Sequence, residues 1–250
     1  MRILALDTAT ESCSVALLID GRLIVRERRL DRGHAEHILP MAGEVLAEGR
    51  VPLAALSAIA FGRGPGAFTG VRLAASVTQG LAFGAGLPVV PISDLRALAQ
   101  RALEADPTLG RVLACTDARM REVYWGCFER ADGLAQAVGD EHVSDPAAVA
   151  LPLAWSRDAG AHVNPAAPAA PGLAGGVCGA GSGFSAYPQL RLALGADLDT
   201  IRAELLPRAA EIALLAVPEV AAGRVFPPEQ ALPVYLREDV ARAQRTRSLN

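Results

Sequence analysis

The chain opens by alternating short apolar runs with turn residues. Arg2 to Asp7, Cys13 to Ile19 and Leu23 to Arg28 each have the length and apolar content of a strand, and Asp20-Gly21 between the last two is a strong hairpin signal. Together they predict an antiparallel meander of three strands. From His34 to Leu46 the spacing changes: Ile38, Leu39, Met41, Ala42, Val45 and Leu46 recur as on one broad face of a helix, and Pro40 falls early enough to be tolerated. Leu56 to Phe61 then predicts a strand, Val71 to Ala85 a helix, Pro88 to Ile92 a strand and Leu95 to Ala105 a helix. The helix over Val71 to Ala85 is thin-walled, with Ala74, Ala75, Ser76, Gly80, Ala82 and Gly84 along it.

At Arg111 the pattern restarts. Arg111 to Asp117 echoes Arg2 to Asp7, Val123 to Glu129 echoes the second strand, and Ala131-Asp132-Gly133 supplies the hairpin turn before Leu134 to Val138. A three-strand meander repeated half a chain later predicts duplication of one structural unit. Ala159 to Gly183 is rich in Ala, Pro and Gly and reads as a loop with one short strand near Val177. Its Gly179-Ala180-Gly181-Ser182-Gly183 reads as a plain turn. Arg208 to Ala222 predicts a final helix packing back on the first half, and Val240 to Asn250, with Arg242, Arg245 and Arg247, a basic tail. The expected units are a first half over 1–106 and a second over 107–206.

Composition narrows the function classes. A net charge of -3 argues against a protein that grips nucleic acid alone, which needs a broad Lys/Arg face. The start meets Asp7 before any signal-peptide core, and no later apolar run is long enough to cross a bilayer, so a soluble, cytoplasmic protein with no membrane partner is expected. Cys13, Cys115, Cys127 and Cys178 stand singly on apolar segments, which fits buried thiols in a reducing compartment.

Three places could carry chemistry. Phe61 to Arg72 packs three glycines and a proline into Gly62 to Gly66 and leads into a helix, with Thr69 placed to cap it; Gly64 and Gly66 could cradle a phosphate. Asp7-Thr8-Ala9-Thr10 ends a buried strand on an acid, so Asp7, Thr8 and Thr10 either hold a metal or phosphate or satisfy the turn's own amides. His34 and His37 share a helical face, but no Glu or Cys supports a zinc site, and a helix-start or interface pair is the better reading.

Two halves that each open on a meander with an acid in the first turn resemble the ASKHA superfamily of sugar kinases, Hsp70 and actin. The implied class is α/β, with two actin-like (ribonuclease H-like) halves, each a mixed sheet flanked by helices. Phe61 to Arg72, Asp117 to Trp125, Asp7 to Thr10 and Pro233-Val234-Tyr235-Leu236-Arg237 occur in the order found in the bacterial TsaB (YeaZ) family, which the chain resembles from its first residues to about Arg237. The resemblance implies a non-catalytic subunit of the machinery that installs threonylcarbamoyl on N6 of adenosine 37 in tRNAs reading codons that begin with A. It implies pairing with the catalytic subunit TsaD, joined by the ATPase TsaE, with tRNA reached through the complex and a homodimer when alone. No intrinsic cofactor is implied; ATP and magnesium serve the wider complex.

TsaD-like relatives carry a His-x-x-x-His metal pair after the glycine turn; here Asp94 and Leu98 stand at those positions, and a leucine cannot ligate a metal. The helices from His34 and from Thr69 then need another reason to be apolar. Packing against the equivalent pair of a partner supplies one, with His34, His37, Met41, Phe68, Thr69, Arg72, Ala75 and Gln79 as interface candidates and Ala74 and Ser76 permitting close approach. Two other classes stay open: a small-molecule kinase using Asp7 or Asp117 to hold magnesium, and a metallopeptidase.

Overall fold

The structure is a computed structural model that describes residues 1–155 and 176–237. The basic tail over 240–250 and the Ala/Pro-rich stretch as far as 175 lie outside the described residues.

Among the described residues, two five-stranded sheets carry the fold. In the first, β1 (Arg2–Asp7), β2 (Ser12–Ile19) and β3 (Arg22–Arg29) form the antiparallel meander, and β4 (Ala58–Gly62) and β5 (Val89–Ile92) add in parallel on the other side of β1, giving the order β3-β2-β1-β4-β5. In the second, β6 (Leu109–Arg119), β7 (Glu122–Ala131) and β8 (Leu134–Ser144) form the meander, and β9 (Gly176–Ala180) and β10 (Thr200–Arg202) add in parallel beyond β6. Both sheets thus repeat one topology, strand for strand, as two actin-like halves require. The hairpins repeat as well: Asp20 and Gly21, and later Asp132 and Gly133, take the paired positive φ of a two-residue turn whose twist matches the strands.

The helices are α1 (His34–Gly49), α2 (Phe68–Ala85), α3 (Asp94–Ala105), α4 (Gly183–Ala186), α5 (Pro188–Leu194) and α6 (Ala209–Ala221). Successive residues of β1 serve opposite faces. Leu4 and Leu6 pack with Ile38, Met41 and Val45 of α1 and Ala75 and Ala82 of α2. Ile3 and Ala5 pack with Ala209, Ile212, Ala213 and Ala216 of α6. Likewise Val112 and Ala114 of β6 meet Leu95, Leu98 and Leu103 of α3, whereas Leu113 and Cys115 meet Phe184, Leu190 and Leu194 of α4 and α5. Helices α3 and α6 touch each other. The layers therefore run α1/α2, first sheet, α6/α3, second sheet, α4/α5. A fully buried side chain of the size of Ile38 is worth roughly 1.5–3 kcal/mol, so α1 is anchored through its inner face and its outer face is free for other work.

Four differences from the expected elements have simple causes. Strand β8 runs on to Ser144 as a sheet edge whose outward residues are polar, which hides a strand from an apolar-run criterion. The segments α4, α5 and β10 are too short for periodicity to reveal. Gly179 and Ala180, expected in a plain turn, belong to β9 and Gly183 opens α4; Gly181 and Gly183 pack on the end of β6, where a Cβ would meet Cys115 O and Sγ at 2.5 Å. Finally, Thr69 does not cap α2. The amide of Ala67 is held by Ala9 O at 2.8 Å, which makes Ala67 the N-cap and starts the helix at Phe68, leaving Thr69 exposed inside it.

Candidate functional site

The glycine motif and the Asp7 turn interlock. Ala67 donates to Ala9 O, and Thr8 Oγ1 donates to Gly70 O at 2.7 Å. A Cβ on Gly66 would stand 2.6 Å from Ala9 O, and one on Gly70 would overlap Thr8 O. Gly64 takes φ 99°, and Pro65 follows through a cis peptide. These glycines are needed so that one backbone can lie on another. The turn also satisfies itself: Asp7 Oδ1 accepts from Ala9 N at 2.8 Å, Thr10 Oγ1 from Ser12 N at 3.2 Å, and the His34 ring meets Thr10 O at 2.9 Å. The space a phosphate would need above Gly64 and Gly66 is taken by Val234 O and by Ala9, so this joint does not fit the group that its sequence suggests.

Behind the joint lies a buried carboxyl pair. Asp7 and Asp94 are both almost wholly buried, and a Cβ on Gly62 would collide with Asp94 Oδ1 and approach Asp7 Oδ1 at 2.9 Å. Asp94 Oδ2 accepts from Gly64 N at 2.5 Å, and Asp94 N donates to Gly64 O at 3.0 Å, so this acid clamps the glycine turn. Burial pushes the Asp7 carboxyl up to about 6, and burial together with the neighbouring Asp7 charge pushes Asp94 well above the ordinary carboxylate range. Leu98, one helical turn on, is buried against Gly181. Among the described residues no three His, Cys, Asp or Glu side chains are grouped to hold a metal.

The pair gives a pH dependence of definite sign. The folded chain binds protons that the unfolded chain has released, so the Asp7 contribution is fully present below about pH 4 and is lost as pH rises through about 6, and that of Asp94 also falls as pH rises. Asp94→Asn keeps an acceptor for Gly64 N, offers a donor to Asp7 and removes one titrating group. Its Tm is expected to fall less than the wild type's between pH 5 and 7.5, the two curves diverging steadily as pH rises. Melting temperatures that change in parallel with pH would count against a proton held on Asp94 in the folded chain.

The other two motifs converge on the same end of the molecule. Val234 N donates to Arg63 O at 2.7 Å, which lays the segment Val234 to Arg237 across the glycine joint. Arg237 pairs with Glu122 and donates to Ala118 O at 3.3 Å, tying that strap to the β6–β7 turn of the second half. Asp117 is engaged within its own half: its Oδ1 accepts from Arg119 N at 2.8 Å and from Tyr187 O–H at 2.9 Å. The Arg72 guanidinium lies over the Phe68 ring at 3.2 Å and the Tyr235 ring at 4.9 Å. Gln79 donates to Pro228 O at 3.2 Å. Arg72 and Gln79 thus face the chain's own C-terminal segment.

The outer face of α1 and α2 corrects part of the expected interface. Met41 and Ala75 are 2% and 3% exposed and belong to the core under the first sheet, so neither is a contact residue; Ala74 is likewise buried. Apolar spacing on a helix does not tell which side meets the sheet. What α1 and α2 present outward is Leu39 (51% exposed), Ser76, Gly80, Gly84 and Phe83 (71% exposed), with His34 and His37 half-buried beside them and Phe68 and Thr69 exposed at the start of α2. Leu39, Ser76, Val77, Gly80 and Leu81 line a shallow groove of about 370 Å³ between the helices. A second apolar depression, of about 520 Å³, lies between Phe83 and the segment Val225 to Glu229. Gly43, Gly80 and Gly84 have nothing within 4 Å of where a Cβ would stand, so the folded chain itself does not need them. Each costs its helix about 1 kcal/mol relative to alanine. Glycines inside two helices are visible in the sequence, and the structure adds that these three stand at exposed, open positions on this face.

Comparison with known proteins fits both halves of this picture. Residues 28–220 match the family described as "TsaD: tRNA N6-adenosine threonylcarbamoyltransferase". The chain is 39% identical to the tRNA threonylcarbamoyladenosine biosynthesis protein TsaB of Escherichia coli K12 over 242 residues, 96% of each chain. It is 53% identical to the protein of that name from Haemophilus influenzae over 125 residues, about half of each. The solved structure of YeaZ from Pseudomonas aeruginosa superposes with a TM-score of 0.78 at 42% identity, covering 94% of this chain and 99% of that one. Motif order, repeated topology and near full-length identity agree, and the chain belongs to the TsaB (YeaZ) family of tRNA threonylcarbamoyladenosine biosynthesis proteins.

Proposed function

We propose that this chain works in threonylcarbamoyladenosine biosynthesis as a non-catalytic, partner-binding subunit, and that the outer face of α1 and α2 is where it binds. The observation that carries this reading is the pair of adjacent helices with open glycines, a shallow apolar groove and the exposed Leu39 and Phe83. Glycines that the fold does not use suit a neighbour whose helices approach closely. The chain itself matches the TsaD family over most of its length, so a TsaD-type catalytic subunit has the same helix pair to offer. Two such pairs related by a pseudo-two-fold axis form a four-helix contact. The same face serves a homodimer when the catalytic subunit is absent. TsaE and tRNA are then met by the assembled pair, and ATP and magnesium belong to those other components.

The kinase and peptidase readings gain nothing from the geometry. Asp7 and Asp94 are turned onto backbone amides, Asp117 is held by Tyr187 and Arg119, and Leu98 is core. Sedimentation of the purified chain with its TsaD-type subunit tests the proposal. A one-to-one complex is expected at micromolar concentrations, formed at the expense of a homodimer; two species that sediment independently would refute it.

A further inference from the structure

We propose that the cationic, aromatic patch running from the β6–β7 turn along the C-terminal strap to the start of α2 is an RNA-contacting surface. This inference rests on the tRNA-modification reading above. Arg119, Met120 and Arg121 are three consecutive non-glycine residues with positive φ, at 61°, 55° and 64°. The two-residue turn between β6 and β7 calls for the positive φ of Met120 and Arg121, and Arg119 before it adds a third at a cost of about 1 kcal/mol or more. The turn holds Arg119, with its side chain 88% exposed, together with Met120 and the exposed Arg121, at the tip of the second half.

Arg237 anchors this tip to the strap. Two residues before it, Tyr235 stands 47% exposed near Phe68, with ring centroids 6.3 Å apart and the Arg72 guanidinium against both rings. Among the described residues Arg63 pairs with Glu141, Arg119 with Asp117 and Arg237 with Glu122, and Arg72 and Arg121 add two further cations to the patch. Guanidinium groups beside exposed aromatic faces match a nucleic-acid strand with unpaired bases, phosphates meeting the arginines and bases stacking on the rings. An acidic chain with such a patch supplies part of a site that its partners complete.

The test is fluorescence anisotropy with a labelled anticodon stem-loop RNA, titrated with the full chain alone and in complex with its TsaD-type subunit, from 50 to 200 mM salt. Arg119→Ala/Arg121→Ala is expected to weaken binding by roughly tenfold and to flatten the log affinity against log salt plot by about 1.4, near 0.7 per lost phosphate contact. Tyr235→Leu is expected to weaken it by about tenfold with the slope unchanged, as lost stacking requires. Unchanged melting temperatures establish that both variants are folded. The proposal is overturned by absence of saturable binding in both wild-type preparations, by variants that bind as the wild type does, or by loss of subunit assembly in the arginine variant, which would make the patch a protein contact. Failure of the underlying reading is a separate result: RNA binding persists while the wild-type complex makes no modified adenosine.

Discussion

Gly80→Arg is expected to abolish pairing with a TsaD-type subunit while making the isolated chain more stable. Gly80 lies on the exposed side of α2, and a Cβ there meets nothing within 4 Å, so the longer side chain extends into solvent. Arginine is a far better helix residue than glycine, by roughly 0.5–1 kcal/mol. In a domain of this size that raises Tm by about 2–3 °C. In the complex the same side chain would stand where two helices meet, bringing an unpaired charge into a desolvated contact. Substitutions at the centre of such contacts cost about 2–4 kcal/mol, a loss of some 30- to 1000-fold in affinity. The homodimer should dissociate with it. An undisturbed complex, measured by sedimentation in a variant that melts no lower than the wild type, would remove α2 from the interface. Ala75→Arg offers no such test, because Ala75 is buried among Leu4, Leu6 and Met41 and the change would break the core.

The opposite outcome is expected one helical segment earlier. Gly70→Ala adds a single methyl, yet that methyl would overlap the Thr8 carbonyl oxygen, which is backbone and cannot rotate away. Relief requires α2 to move off the Asp7–Ser12 turn, breaking the Thr8 Oγ1 to Gly70 O bond and the Ala67 N to Ala9 O bond. Overpacking combined with two lost hydrogen bonds costs at least about 3 kcal/mol. Tm should fall by roughly 10 °C, and partner binding should weaken in parallel because α2 is no longer correctly aimed. A Gly70→Ala chain that melts with the wild type would mean that the helix and the turn are not locked together. The two glycines share one helix and one residue type, but packing inside the chain makes no demand on the first and requires the second.

Much of this architecture could be read from residues. Asp20-Gly21 and Asp132-Gly133 marked both hairpins because only a few residue pairs accept two successive positive φ values. The repeated meander gave two actin-like halves, and the order of four motifs gave the family. Legibility failed where contacts are long-range. Nothing local joins Asp7 to Asp94, or Arg72 to Tyr235; each pair is brought together by the sheet and the strap. Thr69 looked like a cap because of its type, whereas the amide of Ala67 had already been claimed by Ala9. Met41 and Ala75 looked like interface because alanine and methionine serve equally in a core and at a contact. The glycines carried the distinction, since only the structure tells a glycine that packing requires from one that packing ignores.

Reconstituted modification tests the central claim most directly. Purified chain, TsaD-type subunit, TsaE, unmodified tRNA, ATP with magnesium, and the threonylcarbamoyl adenylate donor are combined, and modified adenosine is quantified with each protein omitted in turn. The account predicts product only when this chain is present, no product from this chain without the TsaD-type subunit, and severe loss when Gly80→Arg replaces the wild type. Product at full rate in the mixture lacking this chain would contradict it.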